Sequence, residues 1–214
     1  SNGAIKYIEE IFLPPSAQFY YQYCQKLNIA PEEIHHSLKR IILEINRAIY
    51  DKATKVAKEM GTTLTIGVIT KNTLHFAHVG DSRIYVIRQN KIKQITNDHR
   101  LIAEQLRKGQ LTKEQAVQSK EKNVLTQAVG FSKEIEVQAG KFSLETGDIL
   151  VFCSDGLYEV VQENEIRTIT QKLPPQLACE HFIARANERG GKDNISVIVV
   201  YFKRPLPSSK QLKN

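Results

Sequence analysis

The sequence predicts an α+β fold in which two antiparallel β-sheets pack on each other and helices flank them. Helical and strand-like patterns fall in separate groups along the chain, and short turns join the strands. The apolar run Ile149–Cys153 has no polar alternation, which indicates a strand buried on both faces. Hairpin-joined strands of this kind bury their apolar faces against each other, with the helices outside.

The bulk composition predicts one domain, residues 1–203, followed by a disordered basic tail at 204–214. At 214 residues and 41% hydrophobic content, the chain supports one sizeable core. We expect no membrane association, because no apolar run approaches the roughly 20 residues of a membrane span. The net charge of +7 is spread among acids, so we also expect no nucleic-acid partner.

Cysteine usage predicts a cytoplasmic protein with reduced thiols. The three cysteines are odd in number and lack the spacing of a zinc site. Cys153 falls inside the apolar run, and Cys24 and Cys179 fall in helical patterns. The N-terminal segment carries acids where a signal peptide would carry bases.

The first half of the chain predicts helices and then an antiparallel meander. Residues 4–12 and 16–27 have helical spacing, and a long amphipathic helix runs from about residue 34 to residue 56. From Gly61 the period changes to that of strands. The predicted meander comprises residues 62–70, 73–79, 83–88 and 91–95.

The second half begins with two short helices. Residues 100–108 form a helix that Gly109 ends, and Thr112 to Gln115 has the form of a capping box that opens another helix. The remaining pattern predicts strands at 135–142, 149–153 and 195–202, and helices at 163–173 and 176–187.

Three aspartates lie at the ends of apolar strands. Asp81 follows one such strand, Asp155 follows the run Ile149–Cys153, and Asp193 precedes the last strand. If these strand ends lie side by side, the carboxylates converge and repel one another unless a cation neutralises them. Oxygen ligands favour hard ions such as Mg²⁺ or Mn²⁺. Because such centres activate water and bind phosphoryl oxygens, phosphate hydrolysis is the first chemistry to consider.

The histidines give a weaker signal. His75 and His78 occur in one predicted strand, and packing in the core is their expected role. His99 directly precedes a predicted helix, where we expect it to cap the helix.

Five short motifs occur in a characteristic order and spacing. They are Gly61-Thr62-Thr63, Val79-Gly80-Asp81-Ser82-Arg83, Ile95-Thr96-Asn97-Asp98-His99, Ser154-Asp155-Gly156-Leu157 and Lys192-Asp193-Asn194-Ile195. Together they resemble the metal-dependent protein serine/threonine phosphatases of type 2C, bacterial branch, over residues 61–202. The fold of that family is a sandwich of two antiparallel sheets flanked by helices.

The resemblance implies hydrolysis of phosphoserine and phosphothreonine in signalling phosphoproteins. In this family water is activated at a two-metal Mg²⁺/Mn²⁺ centre, and no phosphoenzyme forms. By position, Asp155 and Asp193 are the implied ligands of that centre, and Asp81 joins Asp155 at a third metal site.

The resemblance also implies a mobile flap beside the site, at residues 109–123. This flap is a plausible determinant of substrate choice. Its candidate residues are Gly109, Thr112, Gln115 and Lys120.

The beginning of the chain departs from the family pattern. Family members open with strands that carry a phosphate-binding arginine, and then an Asp-Gly-Met-Gly-Gly-His segment whose aspartate bridges the two metals. Residues 2–12 resemble the helix after that segment, so we expect an N-terminally truncated phosphatase and leave the activity of the chain as given open. Two alternatives remain: a pseudophosphatase that binds a phosphoprotein or partner without turnover, and completion in trans, in which a partner chain covers the exposed sheet edge and supplies the missing strands and acids.

Overall fold

The computed structural model describes residue 30 and residues 33–58, 60–119, 121 and 123–203. The helices predicted at 4–12 and 16–27, Cys24 and the tail at 204–214 lie outside these residues. The chain divides into two compact units. The first contains the residues up to 83 and residues 96–143, and the second contains residues 84–95 and those from 144 onward. The prediction of one domain stays a prediction.

The described residues form six helices and seven strands. In chain order the helices are α1 Ile34–Lys55, α2 Leu101–Arg107, α3 Lys113–Gln118, α4 Asp155–Tyr158, α5 Glu163–Lys172 and α6 Pro175–Glu188. The strands are β1 Leu64–Thr70, β2 Thr73–Val79, β3 Arg83–Arg88, β4 Lys91–Gln94, β5 Gln138–Ser143, β6 Ile149–Cys153 and β7 Val197–Tyr201. These elements give two sheets flanked by helices, as the sequence predicts.

The first unit has a three-stranded antiparallel sheet with the order β1-β2-β5. The long helix α1 packs on this sheet because its apolar side chains recur at spacings of three and four. Leu38, Ile42 and Ile45 are buried in one cluster with Ala77 and Val79 of β2. The predicted amphipathic helix is confirmed.

The second unit has a four-stranded sheet with the order β4-β3-β6-β7. Strand β6 lies inside this sheet, and its Leu150 and Val151 are fully buried. Phe182 of α6 and Leu157 of α4 are buried in the same core as Val151. The apolar run that suggested a buried strand is therefore a core strand.

The predicted single meander is wrong, because the chain leaves the first sheet after β2. Strands β1 and β2 form one hairpin, whereas β3 and β4 form another hairpin in the second sheet. The turn begins at Gly80, whose φ is +107° and whose added Cβ would lie 2.4 Å from a methyl carbon of Thr63. Only glycine fits this turn. The other neighbour of β2 is β5.

No helix in the described part of the chain is long and apolar enough to cross a membrane.

A buried amide joins α1 to the loop before β5. The side chain of Asn46 donates from Nδ2 to the carbonyl oxygens of Ser132 (3.0 Å) and Lys133 (3.2 Å). Its Oδ1 accepts from the backbone amide of Gly130 at 2.7 Å. Asn46 is 1% exposed, so these bonds satisfy polar groups that water does not reach.

We predict that Asn46→Ala lowers the free energy of unfolding by about 3 kcal/mol, because three bonds are lost and buried polar groups lose their partner. Urea denaturation measures the change. Arg47→Ala, at the exposed neighbouring position of α1, is the control and should change stability little. Equal midpoints for the two variants would contradict the role of Asn46.

Two histidines pack beside the Gly80 turn. His78 of β2 is fully buried, and its Nδ1 lies 2.8 Å from Oγ1 of Thr65. The ring centroid of His99 lies 5.1 Å away. Burial, then the neighbouring His99, lowers the pKa of His78 to about 4, against smaller opposing effects of Asp98 and backbone hydrogen bonds. Burial likewise lowers the pKa of His99, and the positive charge of Arg107 adds to the effect.

The buried position of His75 confirms the expected packing role, as it does for His78. Nε2 of His75 lies 3.0 Å from Oγ1 of Thr70.

The helix-capping role predicted for His99 is wrong. Arg100 is the residue before α2, and Nδ1 of His99 instead accepts from the backbone amide of Gly80 at 3.2 Å.

The lowered pKa of His78 predicts acid destabilisation. Above the unfolded pKa of about 6.5 the residue is neutral in both states, whereas below it the unfolded chain binds the proton first. From pH 6.5 to 5, His78 should therefore remove about 2 kcal/mol from the free energy of unfolding.

Denaturation at a series of pH values measures this loss, which should shrink in His78→Gln. The exposed His36 provides the control: His36→Gln should keep the native pH dependence. A pH dependence in His78→Gln that matches the native protein would contradict the prediction.

Candidate functional site

Asp155 lies where β6 ends and α4 begins. Ser154, the residue before α4, has an extended backbone, and Asp155 is the first helical residue. The backbone amide of Gly156 donates to Oδ1 of Asp155 at 2.9 Å. Asp155 is half-buried.

The register of β6 and β7 brings Asp155 near Asp193. The two strands are antiparallel, with Cys153 opposite Val197. Beyond this pair, the backbone amide of Ser154 donates to the carbonyl of Ser196 at 3.1 Å. The hydroxyl of Ser154 accepts from the amide of Ser196 (3.0 Å) and donates to the carbonyl of Asn194 (3.1 Å). The turn after β6 is thereby joined to the turn before β7.

Gly156 permits the close approach of these two turns. A Cβ at this position would lie 2.4 Å from the carbonyl oxygen of Asn194 and 3.5 Å from the carbonyl carbon of Asp193. Backbone atoms cannot move aside as a flexible side chain does, so any larger residue separates the turns. Asp193 itself is exposed, and its Oδ1 accepts from the amide of Asn194 at 2.6 Å.

The chemistry of these two side chains fits a hard divalent cation. Both candidate ligand groups are carboxylates at the joined ends of β6 and β7, and a backbone amide donates to each carboxylate. Within the described residues no group of three or more His, Cys, Asp or Glu side chains could hold a metal ion. Asp155 and Asp193 alone would supply only part of a coordination sphere, and water and phosphate oxygens are the kind of ligand that can complete one.

Asp81 lies in the first unit, directly after the Gly80 turn. It is 6% exposed, and Nε of Arg100 donates to its Oδ2 at 2.6 Å. The structure thus joins the turns that carry Asp155 and Asp193 in one unit and places Asp81 with Arg100 in the other. The convergence of all three aspartates stays a prediction.

A second ion pair connects the same two segments of the first unit. Nε and Nη2 of Arg83 donate to the carboxylate of Asp98 at 2.6 to 3.1 Å. Nη1 of Arg107 also donates to the carbonyl of Asp98 at 3.1 Å. Sequence reasoning missed both ion pairs. One sequence pattern could have indicated these ion pairs: an aspartate is followed two residues later by an arginine at Asp81 and Arg83, and again at Asp98 and Arg100.

The predicted flap residues have structural contacts. Gly109 follows α2 with φ of +67°, as its predicted role in ending the helix requires. The hydroxyl of Thr112 accepts from the amide of Gln115, and Oε1 of Gln115 accepts from the amide of Thr112. This confirms the predicted capping box at α3. Lys120 lies outside the described residues, and a role of this segment in substrate choice stays a prediction.

Comparison with known proteins finds relatives that match most of the chain. The family profile described as stage II sporulation protein E matches residues 16–203. The serine/threonine phosphatase stp of Listeria welshimeri is 38% identical over 175 residues, which cover 80% of this chain and 69% of that protein. The solved Streptococcus agalactiae serine/threonine phosphatase is 39% identical, with a TM-score of 0.77 over 81% of this chain and 73% of its own.

One further solved structure contains metal ions. The catalytic domain of the serine threonine protein phosphatase PstP, solved in complex with 2 manganese ions, has a TM-score of 0.74 and is 26% identical over 93% of this chain and 78% of its own. Its sheets and helices share the fold described above. From its fold, its sequence identity to these enzymes and the extent of the match, the chain belongs to the type 2C family of serine/threonine phosphatases.

Proposed function

We propose that this protein hydrolyses phosphoserine and phosphothreonine in phosphoproteins, with water as the nucleophile. The observation that carries the proposal is the pair of oriented carboxylates, Asp155 and Asp193, on the joined ends of β6 and β7. Its similarity to enzymes named serine/threonine phosphatases supports the same reaction.

In the proposed reaction, Asp155 and Asp193 would hold a divalent cation at the joined ends of β6 and β7. We infer Mg²⁺ or Mn²⁺, two ions in the complete centre, because both donors are oxygens and because PstP was solved with 2 manganese ions. Such ions, when bound, acidify water and neutralise charge on phosphoryl oxygens. The amides of Gly156 and Asn194 contribute by fixing the carboxylates before substrate arrives.

We further propose a cytoplasmic setting with reduced thiols. Cys153 and Cys179 are both free cysteines, and Cys153 is buried. Burial raises the pKa of the Cys179 thiol, so this thiol is mostly protonated and weakly reactive near neutral pH.

The partner chain inferred from the sequence belongs to the same proposal. Strand β7 is an edge strand of its sheet within the described residues, and Ile198 on it is 61% exposed. An exposed edge with apolar side chains can accept a further strand.

We predict that Mn²⁺-dependent hydrolysis of a phosphothreonine peptide requires both aspartates. Asp155→Ala and Asp193→Ala should each lower kcat/KM at least about a hundredfold. Loss of a residue that only orients a metal ligand lowers activity by roughly 10- to 100-fold, and loss of the ligand itself should lower it more. Release of phosphate by the full-length protein measures the effect. Asp51→Ala removes an exposed acid of α1 and should leave the rate unchanged.

The same experiment distinguishes the alternative of a pseudophosphatase. Metal-dependent turnover that is lost in both variants supports the enzyme. A folded protein that binds the phosphopeptide without releasing phosphate would overturn the proposal and favour the binding module.

We also predict that Gly156→Ala weakens Mn²⁺ binding and lowers the unfolding free energy by about 2 kcal/mol, because the new Cβ overpacks against Asn194. Calorimetric Mn²⁺ titration and urea denaturation measure the two effects. Gly61→Ala is the matched control, since its Cβ would meet its nearest atoms at 3.8 and 3.9 Å. Unchanged Mn²⁺ affinity in Gly156→Ala would show that the approach of the two turns is not needed.

A further inference from the structure

The Asp81–Arg100 ion pair is largely withdrawn from water. The side chains are 8% and 12% exposed, and the bond from Nε of Arg100 to Oδ2 of Asp81 is 2.6 Å long. Charge-assisted bonds of this length are stronger than neutral ones, and low exposure reduces their screening by salt. The positive charge beside the Asp81 carboxylate is therefore supplied by the protein itself, as the guanidinium of Arg100.

Backbone contacts hold the two partners of this pair in place. The amide of His99 donates to the carbonyl of Gly80 at 2.8 Å, which aligns the segment before α2 with the Gly80 turn. On its other side, Arg100 forms a β-bridge with Leu125, and the amide of Thr126 donates to the carbonyl of His99 at 2.8 Å. Arg100 thus approaches Asp81 from a fixed backbone and not from a mobile surface loop.

The second pair shows that this is a specific arrangement of charges. Arg83 lies two residues after Asp81, yet it binds the carboxylate of Asp98. The two ion pairs connect the same two segments, and each segment supplies one arginine and one aspartate. Removal of either arginine changes the net charge equally, but removal of Arg100 breaks its bond to Asp81, whereas removal of Arg83 breaks its bonds to Asp98.

We propose that Arg100 and a divalent cation compete for Asp81. A carboxylate is a suitable oxygen ligand, but Arg100 already neutralises its charge, and a cation bound to the same group would be repelled by the guanidinium. A metal ion therefore binds at Asp81 only when Arg100 withdraws. The guanidinium of Arg100 occupies the place of a metal ion beside Asp81 and thereby weakens metal binding there. This inference goes beyond the proposed hydrolysis and does not depend on metal binding by Asp155 and Asp193.

Mn²⁺ binding tests the proposal directly, with free Mn²⁺ measured by electron paramagnetic resonance. Arg100→Ala should gain an Mn²⁺ site whose affinity is about tenfold higher than any Asp81-dependent site of the native protein, within the usual range of coupling between sites. The gain should vanish in the double variant Arg100→Ala/Asp81→Asn. Arg83→Ala removes the same charge but uncovers Asp98 and not Asp81, so it should show no gain that Asp81→Asn abolishes.

Thermal melting provides a second readout. Arg100→Ala leaves the buried Asp81 carboxylate without this partner, so Mn²⁺ should raise its Tm more than it raises that of the native protein. If Arg100→Ala does not fold, Arg100→Gln retains a donor without the charge and should show the same gain in Mn²⁺ affinity.

Several results would overturn the proposal: no gain in the Arg100 variants, an equal Asp81-dependent gain in Arg83→Ala, or a gain that persists in the double variant. Asp81→Asn alone, which needs no arginine substitution, should change Mn²⁺ affinity little, and loss of a tight site would also overturn it. Because the readout is binding and not turnover, failure here leaves the proposed hydrolysis unaffected.

Discussion

The pairing of β6 with β7 is the constraint on which the candidate site depends. Cys153 lies opposite Val197, and the bonds between Ser154 and Ser196 extend this register past the strand ends. A slip of one residue would reverse which face each side chain of β7 occupies, so the buried core of the second unit enforces the register. The packing energy of that core is what positions two like charges on adjacent turns.

The two ends of β6 use their acids differently. At the start, Asp148 is 1% exposed and accepts bonds from Nε (2.8 Å) and Nη2 (2.7 Å) of Arg88. A buried carboxylate needs such a partner, since burial of an unpaired charge is costly. At the other end, Asp155 is half-buried and held by the amide of Gly156. The first acid is part of the structural framework, whereas the second is suited to hold an ion.

Local patterns predicted much of the fold, and long-range contacts set the limits of prediction. The bounds of β2 and β3 and the capping box at Thr112 follow from nearby residues alone. The assignment of β2 and β3 to different sheets does not, because it depends on pairing with distant strands: β2 pairs with β5, and β3 lies beside β6. The pairing of Asp81 with Arg100 likewise requires the loop before α2 to lie beside the Gly80 turn. Asp155 and Asp193 were predictable as strand-end acids, whereas the bonds that join their turns were not.

The most direct test of the candidate metal site is anomalous diffraction from crystals of the full-length protein grown with Mn²⁺. The claim that the β6–β7 register creates the metal site predicts a manganese peak within direct coordination distance of both Asp155 and Asp193. A manganese position that contacts neither carboxylate, in crystals where these turns remain joined, would contradict it.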